Sequence, residues 1–136
     1  MRIALGADAS HPLVEAVRAW CRQAGHVVDV VADAAAWPEA GRLVGETVAS
    51  GSAERGVVLC WTGTGVSIAA NKVPGVRAAL CADAETARGA RRWNDANVLA
   101  LSMRSTTAAV AEEILAAFFG TDDVDPAEAP NIARLG

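Results

Sequence analysis

The chain has 136 residues, which is the size of one domain and enough to bury a substantial hydrophobic core. Hydrophobic residues make up 52% of the sequence and charged residues 21%, a composition that excludes an intrinsically disordered chain. A net charge of −4 gives little support for nucleic-acid binding, and no apolar run reaches the roughly 18 residues of a membrane-spanning helix. The opening residues do not resemble a signal peptide, so we expect a cytoplasmic protein.

Strands and helices are predicted to alternate along the chain. Short apolar runs predict five strands, RIALGAD (2–8), HVVDVV (26–31), GVVLC (56–60), VRAALCA (76–82) and NVLAL (97–101). Helical spacing and capping residues predict helices over 12–24, from Pro38 onward, over 65–72, over 84–93, and from Thr106 or Thr107 to Phe119. Because the strands are apolar on both faces, this alternation indicates a doubly wound α/β domain with a five-stranded parallel sheet.

No linker or internal repeat divides the sequence, so we predict a single domain over residues 1–120. Residues 121–136 are acidic and contain proline, which indicates a tail that is either mobile or laid as an arm on a partner subunit. The one basic cluster, Arg88, Arg91 and Arg92, is predicted to be a solvated helix face or an interface.

The three cysteines are widely spaced and form no CxxC pair, which favours free thiols over disulfides or a zinc site. Cys21 lies on the core face of the first helix and Cys81 within the fourth strand, so both are predicted to be small buried hydrophobes. Cys60 differs because it ends the third strand and is followed directly by a glycine turn. No metal or cofactor is predicted.

The segment LCWTGTGVS (59–67) combines this thiol with a turn at the start of a helix. Such a turn gathers backbone N–H groups around one point, and they bind a phosphate or the oxyanion of an enediolate. A helix N-terminus also favours the thiolate form of a neighbouring cysteine, which makes Cys60 a candidate base. The alternative interpretation is a tight turn without a ligand and a buried thiol. The segment is not GxGxxG and lacks the P-loop lysine, so nucleotide binding is not favoured.

The stretch GVVLCWTGTGVSIAANKVPGVRAALCAD (56–83), followed by NDANVLAL (94–101), resembles the B-type ribose-5-phosphate isomerases, a family that includes galactose-6-phosphate isomerase. The part SIAANKVPGVRAAL is the most specific, and the resemblance extends from residue 1 to about residue 119. It implies a Rossmann-like α/β/α domain that forms homodimers or tetramers with sites at the subunit interface. It also implies aldose–ketose isomerisation of a sugar phosphate without a metal.

The resemblance assigns roles to individual positions. Cys60 matches the base that moves a proton between C1 and C2, and Thr62 matches a residue of ring opening and substrate contact. The amides that would stabilise the enediolate are those of Gly63, Thr64, Gly65 and Val66. The matching substrate ligands are Asp8 and Asn94 for sugar hydroxyls and Arg104 for phosphate.

Two tryptophans stand where the family has a small or a titratable residue. The family turn reads C-G-T-G, but here Trp61 replaces its glycine. The family's HNDAN motif is here WNDAN, so Trp93 replaces the ring-opening histidine. An indole donates a hydrogen bond but does not exchange protons near neutral pH, so ring opening by that route is lost.

The phosphate-binding positions also differ from the family. The usual DHAG is here DASHP (8–12), so Ala9 replaces a histidine and His11 becomes the candidate substitute. The C-terminal motif GGRHxxR is missing, which leaves Arg134 as a candidate cation. Trp37 stands where the family has the tyrosine of a DYP motif. The tryptophans are expected to narrow and dry the pocket, unless they are only repacked core or interface.

Three functional hypotheses follow. The first is an aldose–ketose isomerase whose substrate differs from ribose 5-phosphate and is smaller, more apolar, weakly phosphorylated, or unable to cyclise, such as a tetrulose phosphate. The second is a non-catalytic ligand-binding homologue or partner subunit on the same scaffold. The third is a flavodoxin-like module whose tryptophans stack on a flavin.

Overall fold

A parallel sheet with helices on both faces forms the centre of the computed structural model, which describes residues 1–136. Its strands are β1 (Arg2–Ala7), β2 (Val27–Ala32), β3 (Arg55–Cys60), β4 (Ala78–Leu80) and β5 (Val98–Ser102). The helices are α1 (Pro12–Gln23), α2 (Trp37–Ala49), α3 (Thr64–Asn71), α4 (Ala84–Asn94), α5 (Ala108–Gly120) and α6 (Ala129–Ala133), with a 3₁₀ turn over Pro126–Glu128. The strand order is β2-β1-β3-β5-β4 and every pair is parallel, which confirms the predicted three-layer α/β/α fold. None of the helices has both the length and the apolar character needed to cross a membrane.

Alternating residues of the central strands enter two separate hydrophobic layers. Val57 and Leu59 of β3 pack in a cluster with α1, α4 and α5, whereas Val58 and Cys60 pack in a second cluster with α2 and α3. This follows from the two-residue period of a strand, which sends successive side chains to opposite faces. Cys60 therefore faces the α2–α3 layer at the carboxyl end of a central strand.

The edge strands are less buried than their apolar sequences predict. The expectation that all strands are apolar and covered on both faces holds for β1, β3 and β5, but Val27 of β2 and Leu80 of β4 are exposed. β4 also has three residues instead of the predicted seven. Its outer edge has no strand partner, and the side-chain amide of Asn71 takes that place by bonding both the N–H and the carbonyl of Ala78, at 2.7 and 2.9 Å.

Arg91 does not lie on a solvated face, and the prediction was wrong for this residue. It is 5% exposed and donates to the carbonyls of Thr121 and Ala96 and to the carboxylate of Asp95. Its guanidinium also lies over the ring of Phe118, with the central carbon 5.9 Å from the ring centroid. The helical spacing places Arg91 on the inner side of α4 with the buried Ala87, and the carbonyls it meets there satisfy its charge. Its neighbours Arg88 and Arg92 are exposed, as predicted.

The beginning of the C-terminal tail is bound to its own chain. The carboxylate of Asp122 accepts a hydrogen bond of 2.6 Å from Arg55, a buried residue at the start of β3. The N–H of Asp125 donates to the carbonyl of Arg92 at 2.7 Å. Beyond these contacts the tail forms the 3₁₀ turn and α6, and its docking on a partner subunit remains a prediction.

We expect stability to fall at mildly acidic pH because of His26. Its Nδ1 lies 3.0 Å from the N-terminal amino group. Burial, followed by the charges of that amino group and of Arg55, lowers the pKa of His26 below its ordinary value of 6.5, although Glu54 opposes the shift. The unfolded chain then binds a proton that the folded chain rejects, so stability is lost as the pH falls through 6.5 and then through the folded pKa.

The measurement is the melting temperature between pH 7.5 and pH 5 for the wild type and for His26→Gln, in which the titrating group is missing. As the pH is lowered, the melting temperature of the wild type should fall more steeply than that of the variant. Parallel pH profiles would contradict this assignment.

Candidate active site

A cleft of about 390 Å³ opens where β1 and β3 end. It is lined by Asp8, Trp37, Cys60, Trp61, Thr62, Thr64 and Gly65. The N–H of Asp8 donates to the carbonyl of Leu59 at 3.2 Å, and this bond holds the ends of the two strands side by side. In doubly wound sheets ligands bind at this position, beyond the carboxyl ends of the strands.

The turn between β3 and α3 holds the sulfur of Cys60 in a defined place. The N–H of Gly63 donates to the Sγ atom at 3.2 Å, and this bond fixes the position of the sulfur under the turn. Gly63 has a φ of 77°, in the left-handed region that glycine adopts without strain. A Cβ atom at this position would also lie 3.0 Å from the main-chain carbon of Leu101. The turn therefore requires glycine both for its conformation and for its space.

The first N–H groups of α3 have no hydrogen-bond acceptor within the chain. The first backbone bond of the helix runs from Ser67 to the carbonyl of Gly63, and the amides of Thr64, Gly65 and Val66 have no acceptor in the chain. Three of the four amides predicted to stabilise an oxyanion are thus unpaired. The fourth, from Gly63, is bonded to Cys60. The helix dipole adds partial positive charge at the same end.

Hydroxyl groups line the cleft beside these amides. The Oγ1 atoms of Thr62 and Thr64 lie 2.8 Å apart in a mutual hydrogen bond, and both residues are exposed. Asp8 provides the only carboxylate of the cleft. Together these groups offer donors and acceptors for the hydroxyls of a small polar ligand.

Trp61 is largely exposed, whereas Cys60, which precedes it, is 5% exposed. The carbonyl of Trp61 accepts hydrogen bonds from the Ser102 hydroxyl at 3.0 Å and from the N–H of Arg104 at 2.9 Å, which ties its backbone to the loop after β5. The residue as a whole is 57% exposed and contributes to the lining of the cleft. The indole therefore forms part of the rim, and the cleft next to Cys60 remains open.

Trp37 borders the cleft, as expected of a tryptophan that narrows the pocket, although it was not among the residues predicted to bind substrate. It begins α2 and its ring packs against Gly65, so that it forms one wall beside the thiol. The available signal was its place in the family's DYP motif, but only the packing of α2 against α3 shows that it borders the cleft.

Other predicted site residues lie outside this cleft within the single chain. His11 caps α1, because its Nδ1 accepts the N–H of Leu13 at 3.0 Å, and it lines a separate groove. Trp93 and Asn94 line a groove between β4 and α4. The side chains of Arg104 and Arg134 are exposed and border neither groove. The Cys60 cleft therefore has no cationic side chain of its own.

The structure offers no ready set of metal ligands. No three side chains of His, Cys, Asp or Glu lie close enough together to hold an ion. The chemistry that the cleft supports is proton transfer by a thiol, next to donors that stabilise a developing oxyanion.

The three thiols should react at different rates with an alkylating reagent. Burial raises the pKa of Cys21 to about 11, and burial together with Asp83 raises the pKa of Cys81 to about 11, so both remain protonated at pH 8. Cys60 borders the cleft and is the thiol that we expect iodoacetamide to modify in the native protein. Peptide mass spectrometry locates the label. The Cys60→Ser variant should stay unlabelled until urea exposes the other two thiols, and labelling of Cys21 or Cys81 at the rate of Cys60 would contradict the assignment.

A thiol at the end of a central parallel strand, beside a glycine turn with unpaired amides, is compatible with an enzyme that moves protons next to a carbonyl group. The family model described as Ribose/Galactose Isomerase matches residues 3–135. The chain belongs to this family and is a sugar-phosphate isomerase of the aldose–ketose type. The match extends beyond residue 119, where the resemblance seen in the sequence ends.

Similar proteins support the same family. The D-erythrulose-4-phosphate isomerase of Pectobacterium atrosepticum is 33% identical over 142 residues, covering 100% of this chain and 93% of that protein. The ribose-5-phosphate isomerase B of Escherichia coli is 39% identical over 84 residues, which cover 62% of this chain and 56% of that protein. The structure of Clostridium thermocellum ribose-5-phosphate isomerase B superposes with a TM-score of 0.92 at 34% identity, covering 100% of this chain and 95% of that one.

Proposed function

We propose that the protein interconverts an open-chain ketose phosphate and aldose phosphate of four carbons, with Cys60 as the base. The observation that carries the proposal is Cys60, a residue that lines an open cleft and whose sulfur is held by the Gly63 amide beside the unpaired amides of α3. The similarity to a D-erythrulose-4-phosphate isomerase over the whole chain supports the choice of substrate.

The proton transfer uses groups that line the cleft. The Cys60 thiolate removes a proton from the carbon next to the carbonyl group, and the electron pair moves to the carbonyl oxygen to give an enediolate. The N–H groups of Thr64 and Gly65 stabilise this oxyanion. The paired hydroxyls of Thr62 and Thr64 pass a proton between the two enediolate oxygens. The thiol then returns its proton to the neighbouring carbon, which completes the isomerisation with no net change in oxidation state.

The size of the substrate follows from the missing ring-opening group. Cys60 and Asp8 are the only titratable side chains that border the cleft, and Trp93 stands at the position of the family's histidine. A four-carbon sugar phosphorylated on its last oxygen has no hydroxyl free to close a five-membered ring, so it reaches the enzyme already open. Ribose 5-phosphate is mostly a closed ring and needs a proton donor that this cleft lacks.

The phosphate group is proposed to bind where two copies of the chain meet. The cleft has no cation of its own, whereas exposed arginines and the groove of Trp93 and Asn94 lie elsewhere on the surface. Large apolar side chains are also exposed, namely Trp61, Ile68, Leu80 and Trp93. We propose a homodimer in which the second copy brings Asn94 and a cation to the Cys60 cleft. Sedimentation velocity, which measures the mass of the species in solution, tests whether the protein forms this homodimer.

The test of the proposed function is deuterium exchange in heavy water, followed by NMR. The panel contains D-erythrulose 4-phosphate, unphosphorylated erythrulose, ribose 5-phosphate and ribulose 5-phosphate, which is an open-chain five-carbon ketose. We expect fast exchange on the carbon next to the carbonyl of erythrulose 4-phosphate, slow reaction of ribose 5-phosphate, and exchange slowed by about 100-fold or more in Cys60→Ala. Thermal stabilisation by these compounds without exchange would instead favour a non-catalytic binding protein.

A further inference from the structure

Trp37 and Gly65 form a matched pair in the wall of the Cys60 cleft. A Cβ atom built at Gly65 would lie 2.9 Å from Cε3, 3.0 Å from Cδ2 and 3.4 Å from Cζ3 of Trp37. These three atoms belong to the six-membered ring of the indole, and their similar distances show that the ring lies face-on against the glycine.

Gly65 is needed here for space and not for an unusual backbone angle. The glycines with positive φ include Gly63 but not Gly65, so the backbone at 65 suits an ordinary residue. The nearest atoms that its Cβ would meet all belong to the Trp37 ring. The absence of a side chain at 65 therefore serves to let the indole lie flat on the turn.

This contact places a large rigid side chain next to the catalytic amides. The Gly65 N–H is one of the unpaired donors of α3, and the indole packs directly on the same residue. Both residues border the cleft together with Cys60. A carbonyl compound held between the Cys60 sulfur and the Gly65 amide would thus lie beside the indole.

We propose that Trp37 is the wall that limits the length of the sugar chain and that Gly65 holds it in place. This inference rests on the proposed function and deepens it, because it explains how a four-carbon substrate is preferred over an open-chain five-carbon one. Trp37 contacts the substrate, whereas Gly65 is a positioning residue that acts through Trp37.

The test compares ribulose 5-phosphate with erythrulose 4-phosphate, which are both open-chain, so ring opening does not enter. The readout is the ratio of their kcat/KM values in the wild type, Trp37→Ala, Trp37→Phe and Gly65→Ala. We expect the ratio to rise in favour of the five-carbon substrate by about 10-fold or more in Trp37→Ala, the discrimination typical of one added carbon. Gly65→Ala should shift the ratio in the same direction because it displaces the indole, and Trp37→Phe should lie between the wild type and Trp37→Ala.

A matched control separates specificity from stability. Trp20→Phe changes an indole on α1 that packs against Phe119 and His26, outside the cleft, so the ratio should stay at its wild-type value. Simple loss of folded protein lowers both kcat/KM values and leaves their ratio unchanged. An unchanged ratio in Trp37→Ala would overturn the inference.

A binding measurement keeps this inference separate from the proposed reaction. In Cys60→Ala, with and without Trp37→Ala, the dissociation constants of 4-phosphoerythronate and 5-phosphoribonate give the same chain-length ratio without turnover. If the wild type shows no exchange, the proposed function fails, yet a shift of this ratio by Trp37→Ala still supports the wall. If exchange depends on Cys60 but Trp37→Ala changes neither the ratio of kcat/KM values nor the ratio of dissociation constants, only the proposed role of Trp37 is overturned.

Discussion

Replacing Cys60 by alanine is expected to slow proton exchange on erythrulose 4-phosphate by about 100- to 10,000-fold, the usual contribution of a general base. The change removes the one thiol that borders the cleft and leaves the free amides of α3 in place. The variant should therefore keep its affinity for a substrate analogue while it loses the reaction. Exchange rates by NMR and analogue binding by calorimetry measure the two effects.

The matched control for this variant is Cys21→Ala. Cys21 is another buried free thiol, but it lies on α1 in the opposite hydrophobic layer and does not border the cleft. Its replacement is expected to lower stability without lowering the exchange rate per folded molecule. Wild-type exchange in Cys60→Ala would remove the sulfur from the mechanism and contradict the proposed function.

The second large effect is expected for Gly63→Ala, which should damage both the fold and the activity. The left-handed φ of 77° costs a residue with a Cβ about 1–2 kcal/mol. A contact adds to this strain, since the new Cβ would lie 2.5 Å from Cδ1 of Leu80 and 3.0 Å from the main chain of Leu101. The Leu80 methyl group can rotate away, but the main chain of β5 cannot, so the turn must move.

Movement of the turn displaces the amide that donates to the Cys60 sulfur and the amides that follow it. We expect exchange on erythrulose 4-phosphate to fall by about 100-fold or more, as for the loss of an oxyanion donor. Urea unfolding gives the change in the free energy of unfolding, and NMR exchange gives the change in rate.

Gly51→Ala provides the control for the strain alone. Gly51 has a φ of 81°, close to that of Gly63, but a Cβ there would meet no atom within 4 Å. The difference between the two variants in the free energy of unfolding thus isolates the contact with β5 and Leu80. Gly51→Ala should retain full activity, and equal effects of the two variants on stability and rate would contradict the structural role assigned to the turn.

Much of the fold could be predicted because its signals are local. Apolar runs marked all five strands, and Thr107, one of two predicted caps, does accept the N–H of Val110 at the start of α5. The length of β4 was predicted wrongly since an edge strand depends on partners that are distant in the sequence. Arg91 was misplaced for the same reason, because the carbonyl of Thr121 that it binds lies 30 residues away.

The candidate site likewise combines residues that are neighbours in the sequence with residues that only the fold brings together. Cys60, Thr62 and Gly63 follow one another in the chain, so their proximity follows from the sequence. Asp8 joins them because parallel strands end at the same edge of the sheet. Trp37 joins them only through the packing of α2 on α3. His11 and Trp93 lie in other grooves of the chain, which the residue types alone do not reveal.

By itself, the sequence determined the order of strands and helices, the thiol at the end of β3 and the glycine turn that follows it, because these depend on neighbours within a few residues. The tertiary structure decided that the Gly63 amide is bonded to the sulfur, that the Trp61 indole leaves the cleft open and that the Trp37 ring lies on Gly65. The physical reason is that hydrophobic periodicity reports which face of an element is buried. It does not report which side chain of another element meets that face.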